Sequence, residues 1–197
     1  MQHAFRTAIA AAVLALCAAT AMAADADRGR KLAYACMGCH GIEHYKNAYP
    51  KYSVPKLGGQ SAEYLVAALA AYEAKTRWHP TMQGYAATLS AEDRDDLAAY
   101  FHSLPTEKAA PQPVGTPPEA ATTCSACHGN TGKGTIDENP TLSGQHADYL
   151  AQALNDYRLG KRENPVMGSF AKALTPAEIK ALAEYFSKQP GLTTPEQ

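Results

Sequence analysis

The residues of this 197-residue chain best suited to chemistry stand in two short runs, Cys36-Met37-Gly38-Cys39-His40 and Cys124-Ser125-Ala126-Cys127-His128. Thiols at i and i+3 with an imidazole at i+4 share one helix face, close enough for one planar group to meet all three. That arrangement suits covalent haem. Both thiols add to porphyrin vinyl groups, and the histidine that follows ligates the iron. Two motifs therefore imply two haem c groups, attached through Cys36, Cys39, Cys124 and Cys127, with His40 and His128 as proximal ligands. Two other uses of a Cys-x-x-Cys pair compete. A redox dithiol needs a βαβ setting, of which the sequence gives no sign, and zinc sites join their halves over short spacings, whereas 84 residues separate Cys39 from Cys124. Neither use accounts for a histidine directly after each pair.

A haem iron has a sixth position to fill. Of the five methionines, Met1 and Met22 fall in an N-terminal leader and Met37 lies inside the first motif, which leaves Met82 and Met167. Each follows Pro-x in what reads as a loop between helices, 42 and 39 residues after its histidine. They are the candidate sixth ligands, with core filler as the bland alternative. His44, His79, His102 and His146 compete, and His79, nearest to a methionine, is the main rival. Pro55 and Pro140 keep a carbonyl able to accept from the proximal imidazole Nδ1–H, or they serve only as turn prolines. Tyr64 and Tyr149 suit a haem edge or a propionate, and Arg77 and Arg162 suit propionate charge; ordinary helix-face or surface placement is the competing reading for all four.

These positions match because the chain is a tandem duplication. The Cys-x-x-Cys-His runs are offset by 88 residues, and downstream the offset settles at 85. Pro55-Lys56-Leu57-Gly58-Gly59-Gln60 aligns with Pro140-Thr141-Leu142-Ser143-Gly144-Gln145, and Leu97-Ala98-Ala99-Tyr100-Phe101 with Leu182-Ala183-Glu184-Tyr185-Phe186. The expected organisation is a leader over 1–23, a first domain over 24–104, a proline-rich linker over 105–118 and a second domain over 119–197. A copy of about 80 residues is marginal for a core of its own, so a buried cofactor would supply missing apolar surface.

The elements that must position these groups read as helices, three or four per copy. Ser61 opens an apolar-periodic run to Lys75, and Ser90 with Asp93 forms an N-terminal signature before Leu97 and Phe101. Thr175-Pro176-x-Glu178 does the same before Ile179, Leu182 and Phe186, and Thr116-Pro117-x-Glu119 is expected to start the helix that carries Cys124. No stretch alternates well enough for a strand. The fold class is all-α.

Composition sets the class of partner. With 18 basic against 19 acidic groups, 46% hydrophobic and 19% charged residues, the chain is neither disordered nor built for a polyphosphate. Arg6 ahead of an uncharged run from Ala8 to Ala21, then Ala21-Met22-Ala23, reads as a secretory signal. Its apolar run of about 14 residues is too short to span a bilayer. A lipid anchor on Cys17 is the lesser alternative, since Leu16 stands where a small residue is normal. The expected compartment is the periplasm, with at most peripheral membrane association.

Taken together, Cys36-x-x-Cys39-His40, Pro55-x-Leu57-Gly58-Gly59-Gln60, Tyr64-Leu65 and Pro80-x-Met82, repeated through Cys124-x-x-Cys127-His128, Pro140-x-Leu142-x-Gly144-Gln145, Tyr149-Leu150 and Pro165-x-Met167, resemble the dihaem cytochrome c4 family. The resemblance covers the chain after the leader. It implies two class I cytochrome c domains related by a pseudo-twofold axis, with propionates meeting across the interface. It also implies an electron carrier between a quinol-oxidising complex or donor protein and a terminal haem-copper oxidase. One segment departs from the family pattern. After His40 the first copy is three residues longer, and Lys46, Lys51, Lys56, Tyr45, Tyr49 and Tyr52 stand there without an acid. The loop over 44–56 reads either as solvated or as a docking patch for an acidic redox partner; nucleic acid is an unsuitable partner for an exported haem protein. Methionine and histidine together would close both axial positions and favour one-electron transfer over substrate chemistry. The competing functions are a dihaem enzyme of peroxidase or thiosulfate dehydrogenase type, with one methionine a bystander, and a cytochrome subunit of a larger oxidoreductase such as a sulfide dehydrogenase.

Overall fold

The computed structural model describes residues 23–108, 110 and 112–196. The leader expected over 1–23 lies outside them except for Ala23. The described residues form nine helices: α1 (Ala26–Leu32), α2 (Tyr34–His40), α3 (Ala62–Glu73), α4 (Pro80–Ala86), α5 (Ala91–Ser103), α6 (Ala121–His128), α7 (Ala147–Arg158), α8 (Pro165–Ala173) and α9 (Pro176–Ser187). Among the same residues β structure is limited to three isolated antiparallel bridges, Lys46 with Ser53, Gly58 with Thr193 and Arg77 with Arg162. The all-helical expectation holds. None of these helices is long and apolar enough to cross a membrane.

Capping chemistry sets most of the helix starts. Ser61 accepts from Tyr64 N–H ahead of α3, and Ser90 with Asp93 and Thr175 with Glu178 close reciprocal capping boxes at α5 and α9. The start expected at Thr116 does not form: α6 begins at Ala121 after Ala120, with no side-chain cap. Pro118 is the reason. A proline disfavours helical backbone in the residue before it, so Pro117 cannot open a helix, and the chain turns helical only beyond the second proline.

Each copy packs its own core around the end of its cysteine helix. In the first, Ala33, Met37, Leu65, Leu97, Ala98 and Phe101 are buried together; in the second, Ala121, Leu150, Leu182, Ala183, Tyr185 and Phe186 are. Phe101 and Phe186 are matched, and burying each side chain contributes roughly 2 to 3 kcal/mol. Gly29 lets α1 cross α5 closely, since a Cβ there would stand 1.9 Å from the Asp96 carbonyl oxygen.

Among its described residues the segment between the copies has no helix, as its prolines predict, yet it is tied down. Gln189 Oε1 accepts from Val114 N–H at 2.8 Å and its Nε2 donates to the Val114 carbonyl at 2.9 Å. Glu107 N–H donates to the Gly191 carbonyl at 2.8 Å. The chain beyond α9 returns to the first copy, where Gly58 and Thr193 exchange backbone hydrogen bonds of 3.0 and 3.1 Å.

Candidate haem sites

Both Cys-x-x-Cys-His runs are helical and end their helices, α2 at His40 and α6 at His128. Helical spacing puts each pair of sulfur atoms and the following imidazole on one face. None of the four cysteines is in a disulfide. Burial raises the Cys36 and Cys124 thiols above their ordinary range, which holds them as thiols and does not suit a thiolate nucleophile. Among the described residues no three His, Cys, Asp or Glu side chains gather into a metal-ion site, so a zinc centre has no ligand set there.

The two histidines are prepared alike. His40 Nδ1 lies 2.7 Å from the Pro55 carbonyl and His128 Nδ1 lies 3.1 Å from the Pro140 carbonyl. Since a carbonyl only accepts, Nδ1 carries the proton, and Nε2 keeps its lone pair for a metal. Burial lowers both imidazoles, His40 to about 4 despite the Pro55 hydrogen bond, so each is neutral at pH 7. Neutral imidazole is the ligating form.

Met82 and Met167 are half-buried and lie in the first turns of α4 and α8, not in the loops that Pro-x suggested. Pro80 and Pro165 occupy the N1 position, where a missing N–H costs nothing. The residue ahead of each proline caps the helix on the methionine itself: His79 Nδ1 accepts from Met82 N–H at 3.2 Å, and Asn164 Oδ1 accepts from Met167 N–H at 2.9 Å. His79 Nε2 faces Asn47 Oδ1 at 3.3 Å, so the rival ligand has a partner at each ring nitrogen. His102 Nδ1 donates to the Gln60 carbonyl at 2.9 Å, His146 precedes α7 and His44 is exposed.

Tyr64, Tyr149, Arg77 and Arg162 meet across the two copies and not within them. Arg77 Nη2 donates to Tyr149 Oη and Arg162 Nη2 to Tyr64 Oη, both at 2.7 Å. The backbones beside them pair as well, with Trp78 N–H on the Lys161 carbonyl and Glu163 N–H on the Thr76 carbonyl, each at 2.8 Å. At an offset of 85 each contact is the image of the other, so a pseudo-twofold relation holds at this interface. Among the described residues no carboxylate lies in ion-pair range of either guanidinium, although Arg77 is buried. Asp156 lines the same small cavity as Arg77 and Arg162 but does not reach either guanidinium, and a propionate-bearing porphyrin would bring an anion into contact. Paired thiols, neutral histidines, matched methionines and unpaired guanidiniums all fit haem c.

Sequence reasoning passed over three sets of residues. The first is the pair of caps, His79 and Asn164, whose signal was an N-cap residue before proline at matched positions. The second is Asp148, which accepts from Lys46 Nζ at 3.0 Å, Ser53 N–H at 3.0 Å and Ser53 Oγ at 2.9 Å, and so seats the longer loop of the first copy on α7. Tyr52 of that loop is buried, with its ring 6.3 Å from that of Tyr149, while Tyr49 is exposed. The third is Gln60 and Gln145, visible in the sequence only as part of the repeat.

Comparison with known proteins agrees with this geometry. The cytochrome c family model matches residues 26–105 and 119–189. Cytochrome c4 of Azotobacter vinelandii is 36% identical over 188 residues, covering 83% of this chain and 88% of that protein. A thiosulfate dehydrogenase electron acceptor of Stutzerimonas stutzeri (strain A1501) is 34% identical over 196 residues, covering 84% and 88%. The crystal structure of reduced recombinant cytochrome c4 from Pseudomonas stutzeri superposes with a TM-score of 0.67 at 30% identity, over 85% of this chain and all of that one.

Proposed function

Since the chain belongs to the dihaem cytochrome c4 family and carries two covalently bound haem c groups, we propose that it is a closed-site carrier of single electrons. When bound, haem c supplies the one-electron step between ferric and ferrous iron. Cys36 with Cys39 tethers the first group and Cys124 with Cys127 the second. His40 and His128 would hold the iron through Nε2, oriented by the Pro55 and Pro140 carbonyls, and Met82 and Met167 would supply a thioether to each. With a histidine and a methionine both engaged, the iron would have no place for substrate and would favour one-electron transfer. Arg77 and Arg162, bonded to Tyr149 and Tyr64, would hold propionate charge at the interface, where the low dielectric strengthens such contacts. The two domains are taken as 24–104 and 119–197 with the segment 105–118 between them, a reading supported by the family-model matches at 26–105 and 119–189.

The observation that carries this reading is the matched pair of methionines, each capped at its own N–H by the residue before the N1 proline. Export to the periplasm through residues 1–23 completes it, with a respiratory donor such as a quinol-oxidising complex and a terminal haem-copper oxidase as acceptor. A second reading is favoured by a specific likeness. The Stutzerimonas stutzeri relative is an electron acceptor of thiosulfate dehydrogenase, and this chain would play the same part for such an enzyme.

The optical spectrum decides between closed and open iron. Two haems per chain are expected, with the far-red sulfur-to-iron band falling by half in Met82→Ala and again by half in Met167→Ala. A high-spin ferric signal or carbon monoxide binding in the unaltered protein would sink the carrier reading and favour an enzyme. Reduction on mixing with a thiosulfate dehydrogenase and its substrate selects the second reading.

A further inference from the structure

Each copy lends the other a buried glutamine. Gln145 Oε1 accepts from Lys56 N–H at 3.0 Å and its Nε2 donates to the Lys56 carbonyl at 3.0 Å. Gln60 Oε1 accepts from Thr141 N–H at 2.8 Å and its Nε2 donates to the Thr141 carbonyl at 3.0 Å. Both side chains are 4% exposed. Such a side chain clamps one residue of the facing copy as a neighbouring strand would.

The residue clamped is the important point. Lys56 N–H and the Pro55 carbonyl belong to one planar, conjugated peptide unit, and that carbonyl is the partner of His40 Nδ1. One hydrogen-bonded chain therefore runs from His40 through the peptide 55–56 to Gln145 of the second copy. Its image runs from His128 through the peptide 140–141 to Gln60 of the first. Hydrogen bonds in series polarise one another, most of all where water is excluded. A peptide whose N–H is engaged has a more negative carbonyl oxygen, which draws harder on Nδ1–H and makes the imidazole a stronger donor to iron. A stronger donor favours the ferric state.

We propose that Gln145 and Gln60 are positioning residues for the proximal histidine of the opposite copy, so that each copy sets the reduction potential of the iron it does not bind. The proposal rests on the ligation of His40 and His128 stated above. It makes the interface part of the redox centre, since a partner that shifts one copy against the other alters both acceptor peptides.

The test uses the full chain with both haems. The Nδ1–H resonances of His40 and His128 are recorded by NMR in the ferrous state, and the two potentials are assigned by following each haem's methyl resonances through stepwise reduction. In Gln145→Leu the His40 Nδ1–H signal moves upfield and the first haem becomes easier to reduce, while His128 and the second haem stay put. A threefold change in that redox equilibrium is expected, about 28 mV at 59 mV per tenfold for one electron. Gln145→Glu, which in this buried site is neutral and so keeps both an acceptor for Lys56 N–H and a donor for its carbonyl, leaves the His40 signal close to its original place. Gln60→Leu gives the mirror result at His128. Equal shifts at both haems, a shift confined to the variant's own copy, or equal shifts in the Leu and Glu variants would each overturn the proposal. If Gln145→Leu does not fold, Gln145→Met, which keeps the volume and loses both amide hydrogen bonds, is read in its place. Failure of the ligation reading is separately visible, because the unaltered protein would then lack two low-spin, histidine-ligated irons.

Discussion

The two copies seat their entering chain on their last helix by different chemistry. In the first, α1 lies on α5 through an ionic cluster: Asp96 accepts from Asp25 N–H and from Arg28, which also reaches Asp93. In the second, no helix stands in that place among the described residues, and the neutral amide of Gln189, just beyond α9, grips both backbone groups of Val114. Asp96 and Gln189 are 3% and 1% exposed, so both anchors are buried and satisfied. They differ in what can undo them. The Asp25 N–H, then Arg28, holds the Asp96 carboxyl below its ordinary range, whereas an amide does not titrate. A duplication has thus solved one packing problem with an acid-sensitive device in one half and an acid-insensitive one in the other.

That contrast gives the largest expected effect. Asp96→Ala strands the Asp25 N–H and takes one of three carboxylate partners from Arg28, at a cost of roughly 2 to 3 kcal/mol near neutral pH. Because the folded pKa lies below the unfolded one, this contribution is complete above the ordinary carboxylate value of 3.8 and is lost as pH falls through the depressed value. Gln189→Ala costs about 2 kcal/mol at every pH. Thermal unfolding of both variants against the unaltered protein from neutral to strongly acidic pH checks this. A Tm deficit in Asp96→Ala that persists undiminished into acid would erase the distinction between the copies.

The longer loop of the first copy is the next difference. Asp148→Ala removes the acceptor for Lys46 and for both donors of Ser53, and roughly 1 to 2 kcal/mol is expected to go. Hydrogen exchange should rise at Ser53 and leave the Gly132, Thr135 and Leu142 amides of the second copy unchanged, since their acceptors lie within that copy. Equal loss in both segments would mean that Asp148 supports the whole interface and not this loop.

The smallest effect separates the caps. His79→Ala and Asn164→Ala each cost about 1 kcal/mol and loosen the methionine turn, seen as a broadened far-red band from the affected copy. His79→Asn, which gives the first copy the second copy's cap, is expected to be neutral within about 0.5 kcal/mol. A large loss on that exchange would mean that the imidazole does more than cap, through its contact with Asn47.

Legibility in the sequence followed range. Cys36 to His40, Ser90 with Asp93 and Thr175 with Glu178 act within one or two helical turns, and each was readable because spacing alone fixes the contact. The Thr116 start was misread because its signature was weighed without the second proline, whose steric rule overrides the cap. Helices α4 and α8 escaped because they are seven and nine residues long, open on a proline and contain a glycine, Gly84 or Gly168, so that each segment reads as a loop. The methionines themselves were found by elimination, without the turn that holds them.

The sequence by itself determined two covalent haem attachments, their tandem arrangement, an all-helical fold and the residues proposed to ligate iron, since all of these are written in local spacing or in the repeat. Only the tertiary structure decided that Arg77 bonds to Tyr149 and not to Tyr64, that Gln145 reaches the peptide beside Pro55, and that Asp148 receives the loop. Those pairs lie 72 to 95 residues apart. A duplicated sequence offers every such group two equivalent partners, one in each copy. The choice is made by packing the copies face to face, which buries the polar groups where only the facing copy can satisfy them.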